Sequence, residues 1–198
     1  MTTTSPPEPT PAPSTETPRS SRPDLISMLA LAVSVFALAV GAWQTRLMQS
    51  QARASVWPYL AIGYTYTSNV DTNGFIWTID NNGVGPARVQ SVTVGLDGKP
   101  MRNWDEVIAA LGMRERPSTA TTSFAGAVIP PNTNRETTVA AIRVHGRELA
   151  TLFKDAIGRF SMDICYCSVY DDCWIAHWQR WQVDAVDHCR AEGVQFEQ

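Results

Sequence analysis

No charged residue interrupts Leu25 to Trp43, LISMLALAVSVFALAVGAW, and its only hydroxyls are Ser27 and Ser34. At about 1.5 Å per helical residue the stretch covers roughly 28 Å, close to the ~30 Å hydrocarbon core of a bilayer. A helix this long without a polar face does not suit the core of a small domain. Leu, Ile, Val and every aromatic are missing from Met1 to Asp24, which is mostly Pro, Thr and Ser. Such a tail cannot bury enough apolar surface to offset its ordering entropy, so residues 1–24 are expected to be disordered, with polyproline character. Cysteine is absent before Cys165. Also missing are Gly-x-Ser-x-Gly, Gly-x-Gly-x-x-Gly, a Walker loop and Asp-x-Asp-x-Asp-Gly. Their absence leaves no nucleophile elbow, dinucleotide fingerprint, phosphate loop or EF-hand. The net charge of −3 comes from acids and bases mixed along the chain, with no basic stripe, which argues against nucleic acid as a partner.

What is present starts with the apolar segment, residues 25–43, read as a retained single-pass transmembrane helix with Trp43 at the interface. A cleaved signal peptide ending at Val40-Gly41-Ala42 is the alternative, but the run exceeds the usual ~7–15-residue apolar region of such peptides. Flanking bases tie, with Arg19 and Arg22 before and Arg46 and Arg53 after, so they give no orientation. Residues 44–56 lack Gly and Pro and are expected to continue as a helical linker. Residues 57–183 are one domain's worth of chain. Residues 184–198 are expected to end it as a short helix and a loose tail.

Residues 57–183 alternate strand patterns with turn chemistry. Strands are expected in Trp57–Thr67, Phe75–Asp80, Ala87–Leu96, Glu136–Val144, Arg159–Tyr170 and Cys173–Val183, with an edge strand in the Thr-rich Pro117–Phe124. Turns are expected at Ser68–Gly74 (with Asn73-Gly74), Asn81–Pro86, Asp97-Gly98, Ala127–Asn134 and Asp171-Asp172. Gly83 and Gly85 can take positive φ in the second of these, and Pro86 cannot donate to a ladder. Two short helices fit Trp104–Leu111, with Asn103 as N-cap, and Gly146–Ala156, with Leu149, Leu152, Phe153 and Ile157 on one face. About seven strands and two short helices predict a mainly β fold, an antiparallel β-sandwich following the membrane helix.

One turn carries a resemblance. Asn82, Gly83, Gly85, Pro86 and Ala87 sit between two strands and resemble the Asn-x-Gly-x-Gly-Pro-Ala turn of bacterial membrane-anchored immunoglobulin-like proteins. Val128-Ile129-Pro130-Pro131, ahead of a strand, is similar to a second feature of those domains. The resemblance covers Trp57 to Val183 and implies an immunoglobulin-like β-sandwich. It implies no activity.

The residues able to carry chemistry cluster late. Cys165, Cys167, Cys173 and Cys189 are even in number and follow an apolar anchor, a pattern that reads as disulfides in an oxidising compartment. Three pairings are possible. A hairpin turning at Asp171-Asp172 sets Cys167 nearly opposite Cys173, within disulfide reach, and favours leaving Cys165 for Cys189. The alternative is zinc held by those cysteines with His177 and His188, although Cys-x-Cys is not a familiar knuckle spacing. A redox-active Cys-x-Cys pair is a further alternative. Asp163, Asp171, Asp172, Asp184 and Asp187 read as turn and surface residues, and His145 and His177 as structural. Of the seven Trp, Trp77, Trp104, Trp174, Trp178 and Trp181 are candidate binding aromatics.

No catalytic residue is assigned. The expected protein is a non-enzymatic, membrane-anchored binding or scaffold protein without a cofactor. Its partners would be the lipid bilayer and another protein. The cysteines put the sandwich in the periplasm or outside the cell, with the N-terminal tail in the cytoplasm. The alternatives are a zinc- or thiol-dependent membrane protein and an aromatic-platform ligand sensor.

Overall fold

The computed structural model describes residues 24–68, 74–113, 118–131, 138–191 and 193–197. The expected disordered tail before Asp24, the Asn73 turn and the Asn132–Asn134 bend lie outside the described residues. The chain forms two compact units, one ending at Leu47 and one starting at Met48.

Helix α1 spans Leu25–Ala54 and buries none of its residues. It is long and apolar enough to cross a membrane. Its hydroxyls are satisfied within the helix: Ser34 Oγ donates to Ala30 O at 2.8 Å and Thr45 Oγ1 to Gly41 O at 2.9 Å. Such internal pairing suits a helix surrounded by hydrocarbon, where no water is available.

The second unit is mainly β. Its strands, all paired antiparallel, are β1 (Leu60–Thr67), β2 (Gly74–Asn81), β3 (Ala87–Leu96), β4 (Lys99–Met101), β5 (Thr119–Thr121), β6 (Val128–Ile129), β7 (Val139–His145), β8 (Phe160–Cys167), β9 (Cys173–His177) and β10 (Asp184–Val186). One sheet has the order β1-β2-β7-β5 and the other β10-β9-β8-β3-β4, with β6 also on β3. Helix α2 (Trp104–Ala110) starts at Asn103, whose side chain accepts from Glu106 N. Helix α3 (Arg147–Asp155) starts after Gly146, which has φ 97°.

Alternation explains which faces meet. Phe75, Trp77 and Ile79 of β2 and Phe160, Met162, Ile164 and Tyr166 of β8 all point into the core. Burying each aromatic contributes several kcal/mol, at about 25 cal/mol per Å² over roughly 150–250 Å². In β3 the phase changes. Ala87 and Val89 are buried at its start, Val92, Val94 and Leu96 further on. An irregularity in the β8 pairing between Val89 and Ser91 inserts the extra residue, and a bulge of this kind shifts every later side chain to the other face.

The C-terminal stretch departs from expectation. No helix forms among the described residues after Asp184, because Asp184–Val186 pairs with Ile175, Trp174 and Cys173 as β10. Nor is the end loose. Phe196 N donates to Val92 O at 2.9 Å, and the Phe196 ring, 2% exposed, meets Trp104 at 4.9 Å. Strand β9 likewise stops at His177 instead of reaching Val183, and Val128–Ile129 pairs as β6 instead of only bending.

Tyr166 links the sheets. It belongs to β8, yet its hydroxyl accepts from Leu60 N in β1 at 3.3 Å. Burial pushes its pKa up to about 12 from the usual 10.0. A phenol with a raised folded value leaves stability intact below pH 10, then loses it as pH rises toward 12, because the unfolded chain ionises first. The gap corresponds to about 3 kcal/mol. Urea unfolding at stepped pH is expected to show a steeper loss between pH 10 and 12 in the native sequence than in Tyr166→Phe. Parallel slopes would disprove this role for Tyr166.

Candidate functional site

The outer face of the six-stranded sheet carries the chemistry. Cys165 and Cys167 lie on that face of β8, opposite the core-facing Ile164 and Tyr166. The Cys167–Cys173 register closes the β8–β9 hairpin, and the two are disulfide-bonded with Cα atoms 4.0 Å apart. Asp171 takes φ 61° at the turn, a conformation that Asp tolerates better than most residues. Ser168, 1% exposed, anchors the turn: its N–H donates to Asp172 O and its Oγ accepts from Tyr170 N. Cys165 is bonded to Cys189, with Cα atoms 5.7 Å apart. No described cysteine is free. The pairing matches the one the hairpin register favours.

The Cys165–Cys189 bond turns the segment after β10 into a strap across the sheet. It leaves the β10 edge, is tied to β8 at Cys165, and reaches β3 at Val92 through Phe196. A cavity of about 350 Å³ lies there. Ser91, Thr93, Asp163 and His177 line it from the sheet, and His188 and Arg190 from the strap.

On its sheet wall, His177 Nδ1 lies 2.6 Å from Asp163 Oδ1 and Nε2 lies 3.0 Å from Asp184 Oδ2. Arg180 also reaches Asp184, at 3.3 Å. Carboxylates accept and do not donate when ionised, so both contacts are hydrogen bonds only when the ring carries two N–H groups. Both ring nitrogens of His177 already face a carboxylate. His188 Nε2 accepts from Arg190 Nε at 2.6 Å. Neither His of the zinc alternative belongs to the sulfur group: the ligand atoms lying within 4.8 Å of one another are those of Cys167, Cys173 and Cys189. Asp171 pairs with Arg88 at 3.1 Å, an exposed contact of little energetic weight. Asp187 and His145 are exposed and outside this cavity.

The aromatic candidates separate. Trp77 and Trp104 are 0% and 3% exposed, so they are core residues and cannot stack on a ligand. Trp174 and Trp178 pack partly against the core, and Trp178 Nε1 donates to Ile157 O at 3.2 Å. Trp181 alone of the five is open, at 86%. It borders a smaller groove of about 120 Å³ between Tyr59–Ile62 and His177–Trp181. The Tyr59 hydroxyl donates to Trp181 O.

The glycine-rich turn is filled by the chain itself. A Cβ at Gly85 would lie 2.0 Å from Val56 O, and one at Gly83 would lie 2.4 Å from Trp57 O. Neither glycine has positive φ; they are needed for close approach, not for a left-handed conformation. The organising asparagine is Asn81, not the exposed Asn82. Fully buried, Asn81 accepts from Tyr59 N and Gly83 N and donates to Gly85 O and Ile129 O. Its signal was an Asn two residues before a Gly, which can form an Asx turn. The Asp163–His177 pair was also missed, although the register joining Cys167 to Cys173 joins these two as well.

No family model, curated protein or solved structure matches the chain.

Gly85→Ala is expected to destabilise the domain by about 1–3 kcal/mol, the range for overpacking against backbone that cannot move aside. Val84→Ala, at a 64% exposed site in the same turn, serves as control and is expected to change little. Thermal unfolding of both variants tests this, and an unchanged midpoint for Gly85→Ala would rule out the close approach.

Proposed function

We propose that this chain is a single-pass membrane protein that carries its β-sandwich outside the cytoplasm and uses it to bind a protein partner in the cell envelope. The observation that carries the reading is the pairing of a fully exposed apolar helix with a domain whose four cysteines form two disulfides. Disulfides of this kind persist in oxidising compartments. We read the sandwich as immunoglobulin-like. Its two antiparallel sheets support that, while α2, α3 and the strap are additions to a plain module.

A binding role fits the chemistry better than a catalytic one. His177 is held on both nitrogens, and the space at Gly83 and Gly85 is taken up by residues 56–59. What stands open is Trp181, beside the groove along β1. Exposed Trp is enriched at recognition sites because it gives large contact area at small entropic cost.

A phosphatase fused to the C-terminus is expected to be active, and the cysteines of intact cells to resist alkylation until reduced. An inactive fusion would reverse the topology. A photo-crosslinking residue at position 181 is expected to trap one envelope protein, and the same residue at the exposed position 155 to trap none. No crosslink from 181 in native membranes would sink the binding assignment.

A further inference from the structure

We infer that the four cysteines form a closed tetrathiolate zinc site once their disulfides are reduced. This goes beyond the binding role and holds on either side of the membrane. The argument is the spacing of the sulfurs. Zinc binds thiolate at about 2.3 Å in a tetrahedron, so neighbouring sulfurs stand ~3.8 Å apart. The sulfurs of Cys167 and Cys189, which belong to different disulfides, are 3.8 Å apart. Cys167, Cys173 and Cys189 all lie within 4.8 Å of one another. One edge of the tetrahedron already has the required length, and three of its corners are gathered.

Cys165 supplies the fourth corner. Its sulfur lies outside the 4.8 Å group, but it is the bonded partner of Cys189 and shares a face of β8 with Cys167, so side-chain rotation on reduction brings it in. The two cysteines on β8 are held by sheet pairing on both sides. Cys173 is held likewise, in β9 between β8 and β10, and only Cys189 lies in irregular backbone, the strap. Reduction lets each bonded pair open from about 2.05 Å to the tetrahedral edge, by side-chain rotation at Cys167 and Cys173 and by movement of the strap at Cys189.

The surroundings suit a structural site. Cys165, Cys167 and Cys173 are 5–7% exposed and Cys189 is partly buried, so most of the cluster is shielded from water. The dianion that four thiolates and one zinc make would lie near two guanidinium-bearing residues. Arg88 is the cross-strand partner of Cys167, and Arg190 follows Cys189.

The chemistry balances with a dithiol as reductant. Each S–S bond accepts two electrons and two protons, and the dithiol closes to its own disulfide. Zinc then displaces the four thiol protons to solvent and takes the four thiolates as ligands. The strap stays tied to β8 in either state, by a covalent bond when oxidised and by the metal when reduced.

The test uses the full chain in detergent micelles, reduced with a phosphine under argon and titrated with cobalt as a spectroscopic stand-in for zinc. One cobalt per chain is expected, with the intense visible bands of tetrahedral thiolate coordination, bleached by one equivalent of zinc. Cys165→Ser and Cys173→Ser are each expected to weaken binding at least tenfold. The oxidised chain is expected to take up none. Equal uptake by oxidised and reduced chains would overturn the inference, as would octahedral cobalt spectra. So would His188→Asn weakening the site while Cys165→Ser leaves it intact. A reduced chain that loses its β-sheet circular dichroism and does not regain it with zinc would overturn it too.

Discussion

The sandwich depends on the missing side chains of Gly83 and Gly85. Because no Cβ stands there, residues 56–59 lie directly on the β2–β3 turn. Val84 N then donates to Trp57 O, and Asn82 N donates to Tyr59 O. Asn81 sits beneath the contact and uses both ends of its amide, reaching Tyr59, Gly83, Gly85 and Ile129. Those partners belong to the start of β1, the turn and β6, so one buried side chain joins elements far apart in sequence. A buried amide is stable only when its donors and acceptors are filled. The glycines allow the approach, and the asparagine makes it specific.

From that joint, β1 enters the four-stranded sheet and β3 the six-stranded sheet, and Tyr166 ties them again through Leu60 N. The six-stranded sheet then does two jobs. Its inner face is apolar and closes the core. Its outer face is polar, with Ser91, Thr93, Asp163 and His177 in reach of one cavity. The β3 bulge lets one strand serve both, since it moves Ser91 out and Val92 in. The same region leaves Val92 O unpaired by β4 or β6, and Phe196 N fills it. The strap therefore completes the hydrogen bonding of β3 as well as covering the sheet.

The parts of this arrangement legible in the sequence are those with a local cause. Strict alternation in Phe160–Tyr166 marked a half-buried strand, and Asn103 ahead of Asp105 and Glu106 marked the start of α2. The two-sheet β architecture followed from strand count and turn chemistry. The illegible parts have distant causes. Strands β4, β6 and β10 are two or three residues long, too short to leave a period, and exist because a neighbour accepts them. The β3 bulge carries no Gly or Pro to announce it. Phe196 is a lone aromatic in a polar tail; only the Cys189 tether brings it to Trp104. At the candidate site, Cys167 and Cys173 were readable from the hairpin. The His177 cluster required the register to be followed four residues further, and Asp184 required β10.

The aromatic core shows why such tethers matter. Trp77 packs on Phe160 at 4.8 Å and Trp178 at 5.1 Å, and Trp104 packs on Phe196. Yet the indole nitrogens of Trp77 and Trp104 have no hydrogen-bond partner among the described residues. Leaving a buried donor unpaired costs about 1–3 kcal/mol. Burying an indole returns about 4–6 kcal/mol from its area alone, so each Trp is favourable while carrying a polar penalty. A domain's net stability is only about 5–15 kcal/mol, and two such penalties take a sizeable part of it. Each disulfide typically adds about 2–4 kcal/mol by constraining the unfolded chain. The pair that pins the strap, and with it Phe196 against Trp104, is of the size needed to offset those two donors. On this argument the cysteine cluster and the tryptophan core are one energetic unit, joined by the seven residues from Cys189 to Gln195 that lead into Phe196.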